Sequence, residues 1–277
     1  MPSISASNSQ LHYTHSPGTG ERPALVFVHG AGGCAADWPY QWQQTGIPPS
    51  RGAPRWISDY PRYFLDLPGH GRSRPPARTS VDDYAADVAG FIEAVGIRRA
   101  VIIGHSMGGA IALAVGLRKP ANLAGLVVLG SGPSMPVSDA ILDGLAADFA
   151  QTVGLIMKFS WRREARPIYR EIATQHMLAA GAAVVYGDFA ACNAFDAGER
   201  LGEISAPTLV VGSTSDRMIP LARSEALAGA IPGSQLAVIE DGGHFMMAER
   251  TNEVSALLLD FLNTHYSSPC AVVRHGG

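Results

Sequence analysis

One stretch restricts this chain more than any other: Val101-Ile102-Ile103-Gly104-His105-Ser106-Met107-Gly108-Gly109. Three β-branched residues run straight into Gly-His-Ser-Met-Gly, and Ala110-Ile111-Ala112-Leu113-Ala114-Val115 continues with helical character. The pattern predicts a strand, a one-residue corner and a helix, with Ser106 at the corner. So sharp a corner holds the serine in a sparsely allowed backbone conformation, and a side chain two residues before or after would crowd it. Gly104 and Gly108 occupy those two places. The corner lifts the Ser106 hydroxyl off the sheet edge and aims the positive end of the following helix at whatever it attacks.

Around this corner the chain reads as alternating strands and helices. The loose alternation of residues 10–16 predicts a short strand, and Ala24-Leu25-Val26-Phe27-Val28 one buried on both faces. That strand ends in His29-Gly30-Ala31-Gly32-Gly33, before an expected helix around Asp37–Gln44. Residues 45–61, rich in Pro, Gly and Arg, read as a surface loop leading to the strand Tyr63-Phe64-Leu65. Asp66-Leu67-Pro68-Gly69-His70-Gly71-Arg72-Ser73 then forms a tight turn, and Ser80-Val81-Asp82-Asp83 opens a helix with Val81, Tyr84, Val88, Phe91, Ile92 and Val95 on its apolar face. After the Ser106 helix comes the strand Leu126–Leu129. Strand signals then stop from 134 to 202, where Ile141–Val153, Pro167–Gly181 and Ala182–Phe195 read as helices. They resume at Pro207–Gly212 and Leu236–Ile239, with a final helix near Asn252–Thr264 and a loose tail at 266–277.

This predicts an α/β fold with a doubly wound, mostly parallel sheet. Residues 1–133 and 203–265 form the core domain, and 134–202 a helical cap inserted into it. With 277 residues and 47% apolar content the chain can bury such a core, and 16% charged residues do not suit disorder. A net charge of −3 with only isolated basic pairs argues against a nucleic-acid partner. Cys34, Cys192 and Cys270 are odd in number and widely spaced, which suggests neither a disulfide framework nor a zinc site, and no metal or cofactor is expected. The first residues lack a signal-peptide pattern and no apolar run approaches the ~20 residues of a membrane span, so the expectation is a cytoplasmic protein without a membrane partner.

Functional residues in a parallel sheet lie just after strands. A neutral serine hydroxyl needs a base, and His244, a few residues after Leu236–Ile239, is the candidate. Asp216, just after Pro207–Val211, would fix the His244 tautomer and stabilise its imidazolium. Asp241 is nearer His244 in sequence, but a carboxylate three residues away on one loop rarely faces the imidazole edge. The place after Leu126–Leu129, where some such enzymes carry their acid, holds Ser131-Gly132-Pro133 with no carboxylate. The oxyanion donors are expected to be the backbone N–H groups of Met107 and, in the Gly30–Gly33 loop, Ala31. His29, His70 and His105 are read as loop-orienting or packing residues. The Gly-rich loop lacks the phosphate and dinucleotide signatures.

Taken in order, His29-Gly30-Ala31-Gly32-Gly33, Asp66 to Ser73, Gly104-His105-Ser106-Met107-Gly108-Gly109, Asp216 and Gly243-His244 resemble the α/β-hydrolase superfamily from about residue 10 to 265. The resemblance implies an eight-stranded sheet, a specificity-setting cap, and hydrolysis without a cofactor. The serine separates the chain from dehalogenases and epoxide hydrolases of similar fold, which carry an aspartate there. The segment 45–61 is longer than the family pattern. Substrate-binding candidates are Gly30, Phe149, Met157, Trp161, Phe189, Met218 and Phe245, with Met135, Phe159, Met177, Tyr186 and Phe195 also available and mostly cap core. Arg162, Arg163 and Arg166 read as a solvated helix face. The expected activity is cleavage of a small or medium apolar carboxylic ester by a monomer or homodimer. Carbon–carbon bond hydrolysis of a diketone or dienoate, a cofactor-independent oxygenase or perhydrolase, and a ligand receptor are the alternatives.

Overall fold

The computed structural model describes residues 3–6, 9–18, 22–43, 57 and 59–266. In chain order its elements are β1 (Ser3–Ala6), β2 (Ser9–Ser16), β3 (Ala24–Val28), α1 (Tyr40–Gln43), β4 (Arg62–Leu65), α2 (Val81–Ala94), β5 (Ala100–His105), α3 (Met107–Arg118) and β6 (Leu123–Leu129). Then follow α4 (Asp139–Ala147), α5 (Phe149–Ser160), α6 (Pro167–Ala180), α7 (Ala182–Ala194), β7 (Thr208–Ser213), α8 (Leu221–Ala230), β8 (Gln235–Ile239), α9 (Met246–Glu249) and α10 (Thr251–Tyr266). The strands form one eight-stranded sheet in the order β1-β2-β4-β3-β5-β6-β7-β8. Its β1–β2 and β2–β4 pairs are antiparallel and the rest are parallel.

The period-two alternation of the central strands splits the core between the two sheet faces. Val26, Val28, Ile102 and Val128 pack under α2 and α3, while Leu25, Phe27, Val101, Ile103 and Leu129 pack against Trp38, Trp42 and the α10 residues Leu258 and Phe261. Both faces are covered, which is why β3, β5 and β7 are buried at every position and read as apolar runs. α3 is the centre of this arrangement: every residue from Met107 to Gly116 is buried.

Some local expectations differ. β1 carries no strand signal in the sequence, because Ser3 and Ser5 are exposed polar residues on an edge strand paired only with β2. The helix expected at Asp37–Gln44 is a 3₁₀ turn at Ala35–Asp37 followed by α1, with Trp38 extended ahead of Pro39. The helix expected at Ile141–Val153 is two helices, because Asp148 leaves helical geometry and its carboxylate caps α5 through the Gln151 N–H. Tyr266 belongs not to a loose tail but to the end of α10, and donates its hydroxyl to the Ala124 carbonyl at 2.8 Å. Most of the 45–61 segment, residues 267–277 and Cys270 lie outside the described residues.

Between β6 and β7 the chain leaves the sheet for α4–α7, which share an apolar core of Leu145, Val153, Ile156, Met157, Trp161, Met177, Val185 and Phe189. The two ends of this excursion are joined by a Ser134–Asp196 bridge and by the Ala197 N–H on the Pro133 carbonyl at 2.9 Å. No single helix among the described residues is long and apolar enough to cross a membrane.

Candidate functional site

Ser106 sits between β5 and α3 with φ 54° and ψ −117°, in the left-handed half of backbone space that a side chain resists. Packing enforces the corner. A Cβ on Gly104 would lie 2.0 Å from the Gly108 carbonyl oxygen, and one on Gly108 2.1 Å from that of Val28. The Ser106 N–H is tied to the Leu129 carbonyl at 2.9 Å, fixing the corner to the neighbouring strand.

The loops after β7 and β8 bring Asp216 and His244 to the same end of the sheet. His244 Nδ1 lies 2.8 Å from Asp216 Oδ2, and both side chains are buried. Asp216 Oδ1 accepts the N–H groups of Met218 and Ile219, so the turn orients the carboxylate before it meets the ring. Asp241 instead points outward to Arg250. The His244 backbone is held twice: its N–H donates to the Ser160 carbonyl of α5, and its carbonyl accepts His105 Nε2–H at 2.9 Å. Ser106 and His244 line one cavity, but no hydrogen bond joins the hydroxyl to the imidazole in this geometry. Such contacts commonly tighten only when substrate binds.

The loop after β3 presents a row of backbone N–H groups, and nearly all are taken. Gly32 donates to Asp188 Oδ2, Cys34 to Asp37 Oδ2 and Ala35 to Asp66 Oδ1, each at 2.8 Å, and Gly33 donates to the Gly30 carbonyl. From Ala31 to Ala35, Ala31 alone keeps an unpartnered N–H among the described residues, beside the cavity. The Met107 N–H, in the first turn of α3, is likewise unpartnered. Gly30 lies against Ser106: a Cβ there would be 3.2 Å from the Ser106 Cβ.

Three histidines brace these loops. His29 donates Nδ1–H to the Gly30 carbonyl at 2.8 Å and accepts the Leu67 N–H on Nε2 at 3.1 Å. Burial, with the neighbouring His70, lowers its pKa to about 4. His105 is also held neutral, by burial first and the proximity of His244 second. His70 is the opposite case. Burial disfavours its imidazolium, but the charge and hydrogen bond of Asp188, with the Pro68 carbonyl, outweigh burial and raise its pKa.

The cavity encloses about 430 Å³ between the strand ends and α4–α7. Gly30, Ala31, Met157, Phe189, Met218 and Phe245 line it. Phe149 and Trp161 do not. Phe149 packs on the apolar core of α4–α7, and Trp161 stacks behind Phe245 with ring centroids 4.5 Å apart. Tyr186 and Phe195 also lie away from it, whereas Ile156, which the sequence does not single out, is part of the wall. Arg163 and Arg166 are exposed, but Arg162 is half-buried and donates to the Asp241 carbonyl, three residues before His244. Arg217 carries no signal in the sequence beyond adjoining the acid. It lies at the cavity, donating to the carbonyls of Lys158 and Trp161 with its guanidinium over the Phe159 ring.

One group of side chains has the makings of a metal site. Cys34, Asp37 and His176 each place a ligand atom within 4.8 Å of the others. Asp37 is already engaged by both neighbours: His176 Nδ1 meets its Oδ1 at 2.6 Å, and its Oδ2 accepts the Cys34 backbone N–H. Burial and Asp37 push the Cys34 thiol well up, away from the thiolate a nucleophilic role would need.

The chain is 28% identical over 273 residues to the dihydrolipoyllysine-residue acetyltransferase component of the acetoin cleaving system of Cupriavidus necator; the match takes in 90% of this chain and 65% of that protein's length. It is 29% identical over 272 residues to 2-hydroxy-6-oxononadienedioate/2-hydroxy-6-oxononatrienedioate hydrolase 2 of Pseudomonas putida, across 91% of both chains. Among solved structures, a thermophilic esterase superposes with a TM-score of 0.80 at 28% identity, covering 95% of this chain and 97% of that one. The pattern of the alpha/beta hydrolase family matches residues 25–257, and this chain belongs to that family.

Proposed function

We propose that the protein is a serine hydrolase that cleaves a carboxylic ester with a small or medium apolar acyl group through an acyl-enzyme. The observation that carries this reading is His244, held by Asp216, lining the same cavity as a strained Ser106, beside the unpartnered Ala31 N–H. Ser106 Oγ attacks the ester carbonyl while His244 takes its proton. The oxyanion is held by the N–H groups of Ala31 and Met107. His244 returns the proton to the leaving alcohol, and water attacks the acyl-enzyme by the reverse sequence. The α4–α7 helices, within residues 134–202, act as the cap that shapes the acyl pocket. A cavity of about 430 Å³ walled by Met157, Phe189, Met218 and Phe245 suits an apolar chain.

Arg217 supports a second reading, hydrolysis of a carbon–carbon bond in a carboxylate-bearing dienoate. Its guanidinium bonds only to carbonyls and stacks on Phe159, so its charge is available to a substrate carboxylate at the cavity rim. The hydrolase of Pseudomonas putida carries such a substrate in its name. A series of p-nitrophenyl esters of graded chain length, run beside a ring-cleavage dienoate with Ser106→Ala as control, separates the two. Turnover of short esters lost in Ser106→Ala supports the ester reading. Preferential turnover of the dienoate replaces it with the second, and undiminished turnover in Ser106→Ala overturns both.

A further inference from the structure

A carboxylate with no exposed atoms is costly unless donors compensate it. Asp188, on α7 among the buried Val185, Phe189, Ala191 and Cys192, is such a group. Its Oδ1 accepts the Tyr84 hydroxyl from α2 at 2.7 Å. Its Oδ2 accepts His70 Nε2–H from the turn after β4 at 2.7 Å, and the backbone N–H of Gly32 at 2.8 Å. His70 presents its other ring nitrogen to the Pro68 carbonyl at 3.0 Å, so both nitrogens face acceptors and the ring is held as an imidazolium. Three donors from three separate elements therefore converge on one carboxylate supplied by the helices above the sheet.

Gly32 is what makes this more than a packing device. It follows Ala31 directly, has φ 63°, and donates its N–H to Asp188. Its N–H lies in the Ala31–Gly32 peptide plane, one Cα away from the Gly30–Ala31 peptide, whose N–H, that of Ala31, has no partner at the cavity wall. Anchoring that plane restrains the adjacent one through the two dihedrals of Ala31, and so limits where the Ala31 N–H can point. From this we propose that Asp188 is a positioning residue: it reaches down from α7 to fix the loop that supplies one oxyanion donor, and so couples the placement of α7 to transition-state stabilisation. This inference rests on the serine-hydrolase reading for its effect on rate, but not for its effect on the loop. If α7 shifts, Gly32 loses its acceptor and the Ala31 N–H loses its aim, whatever the acyl group in the cavity.

The experiment compares wild type with Asp188→Asn, which keeps the shape and one acceptor but not the charge, and with Asp188→Ala. Steady-state turnover of p-nitrophenyl butyrate, affinity for phenylboronic acid as a tetrahedral anionic probe, and amide hydrogen exchange of residues 29–37 are measured on samples whose folded fraction is set by near-ultraviolet circular dichroism. The expected result is a fall in kcat of about tenfold to a hundredfold per folded molecule with KM within about twofold, since a donor misplaced by a fraction of an ångström loses much of its effect. Boronate affinity falls in parallel, and the Gly32 amide exchanges at least about tenfold faster. Asp188→Asn lies between wild type and Asp188→Ala. The proposal is overturned if the Gly32 amide keeps its protection, or if activity falls only in proportion to the folded fraction. Wild type without Ser106-dependent turnover would instead defeat the serine-hydrolase reading, and the exchange measurement would still decide whether Asp188 fixes the loop.

Discussion

Asp216 holds His244 with one oxygen and its own loop with the other: Oδ2 lies 2.8 Å from His244 Nδ1, while Oδ1 takes the Met218 and Ile219 N–H groups at 2.8 and 2.9 Å. The carboxylate therefore fixes the imidazole with Nδ1 protonated and, in the serine-hydrolase reading proposed above, leaves Nε2 to take the proton of Ser106. Asp216→Asn preserves the shape but can turn an amide N–H toward the ring and stabilise the wrong tautomer. The expected effect is a fall in kcat of roughly 10⁴ with little change in KM, read from p-nitrophenyl ester turnover. A loss below about tenfold would show that another group orients His244.

The corner at Ser106 has a mechanical consequence. A methyl group on Gly108 meets the carbonyl oxygen of Val28 at 2.1 Å, and both atoms belong to central backbone that is buried on every side. Gly108→Ala is expected to destabilise by roughly 3–5 kcal/mol or to prevent folding, as other severe core clashes do. Gly154 supplies the contrast. It is exposed in the middle of α5, and a methyl group there would meet nothing within 4 Å, so Gly154→Ala stabilises by about 0.5–1 kcal/mol through helix propensity. Urea unfolding of the two variants measures both signs.

These two cases also show where the sequence is readable. Central strands buried on both faces betray themselves as apolar runs, and a serine flanked by glycines between strand and helix admits few other folds. Placing acid and base after successive strands then needs only the rule that ligands meet the strand ends. What lies beyond reach is contact between segments far apart in the chain. Asp188 meets Gly32 across 156 residues, and Trp161 sits behind Phe245 rather than in the cavity wall. A lone aspartate in the apolar run Ala182–Ala194 is a visible signal that some donor has to meet it. Which donors meet it is not visible. β1 escapes notice because Ile4 alone, between the exposed Ser3 and Ser5, packs on the core, and one apolar residue makes no pattern.

Met157 is expected to control the length of the acyl chain. It is buried in the core of α4–α7 and also walls the cavity. Met157→Ala shortens that wall by most of a side chain and costs about 2–4 kcal/mol of stability. The space gained admits longer chains, and each newly buried methylene is worth about 0.8 kcal/mol, or roughly fourfold in kcat/KM. The optimum of a p-nitrophenyl ester series moves to longer acyl groups by at least one methylene, while Phe149→Ala, away from the cavity, leaves the optimum where it was. An unchanged optimum in Met157→Ala would place the acyl chain elsewhere.

His29 links stability to pH. Its Nε2 accepts the Leu67 N–H at 3.1 Å, so protonating that nitrogen sets donor against donor, and burial beside His70 lowers its pKa from 6.5 to about 4. Above pH 6.5 the residue is neutral in both folded and unfolded chains and contributes no slope. Between pH 6.5 and 4 the unfolded chain takes up a proton that the folded chain refuses, so stability falls as the pH is lowered, by at most roughly 1.4 kcal/mol per unit. Below about pH 4 both states are protonated and the slope vanishes. His29→Gln has no such proton to gain while its amide can still accept the Leu67 N–H. The unfolding free energy of wild type minus that of His29→Gln therefore falls as the pH is lowered from 6.5 toward 4, and is constant above 6.5. Urea titrations of both proteins at half-unit intervals measure it, and a difference that stays flat across the whole range would mean that burial beside His70 does not lower the His29 pKa.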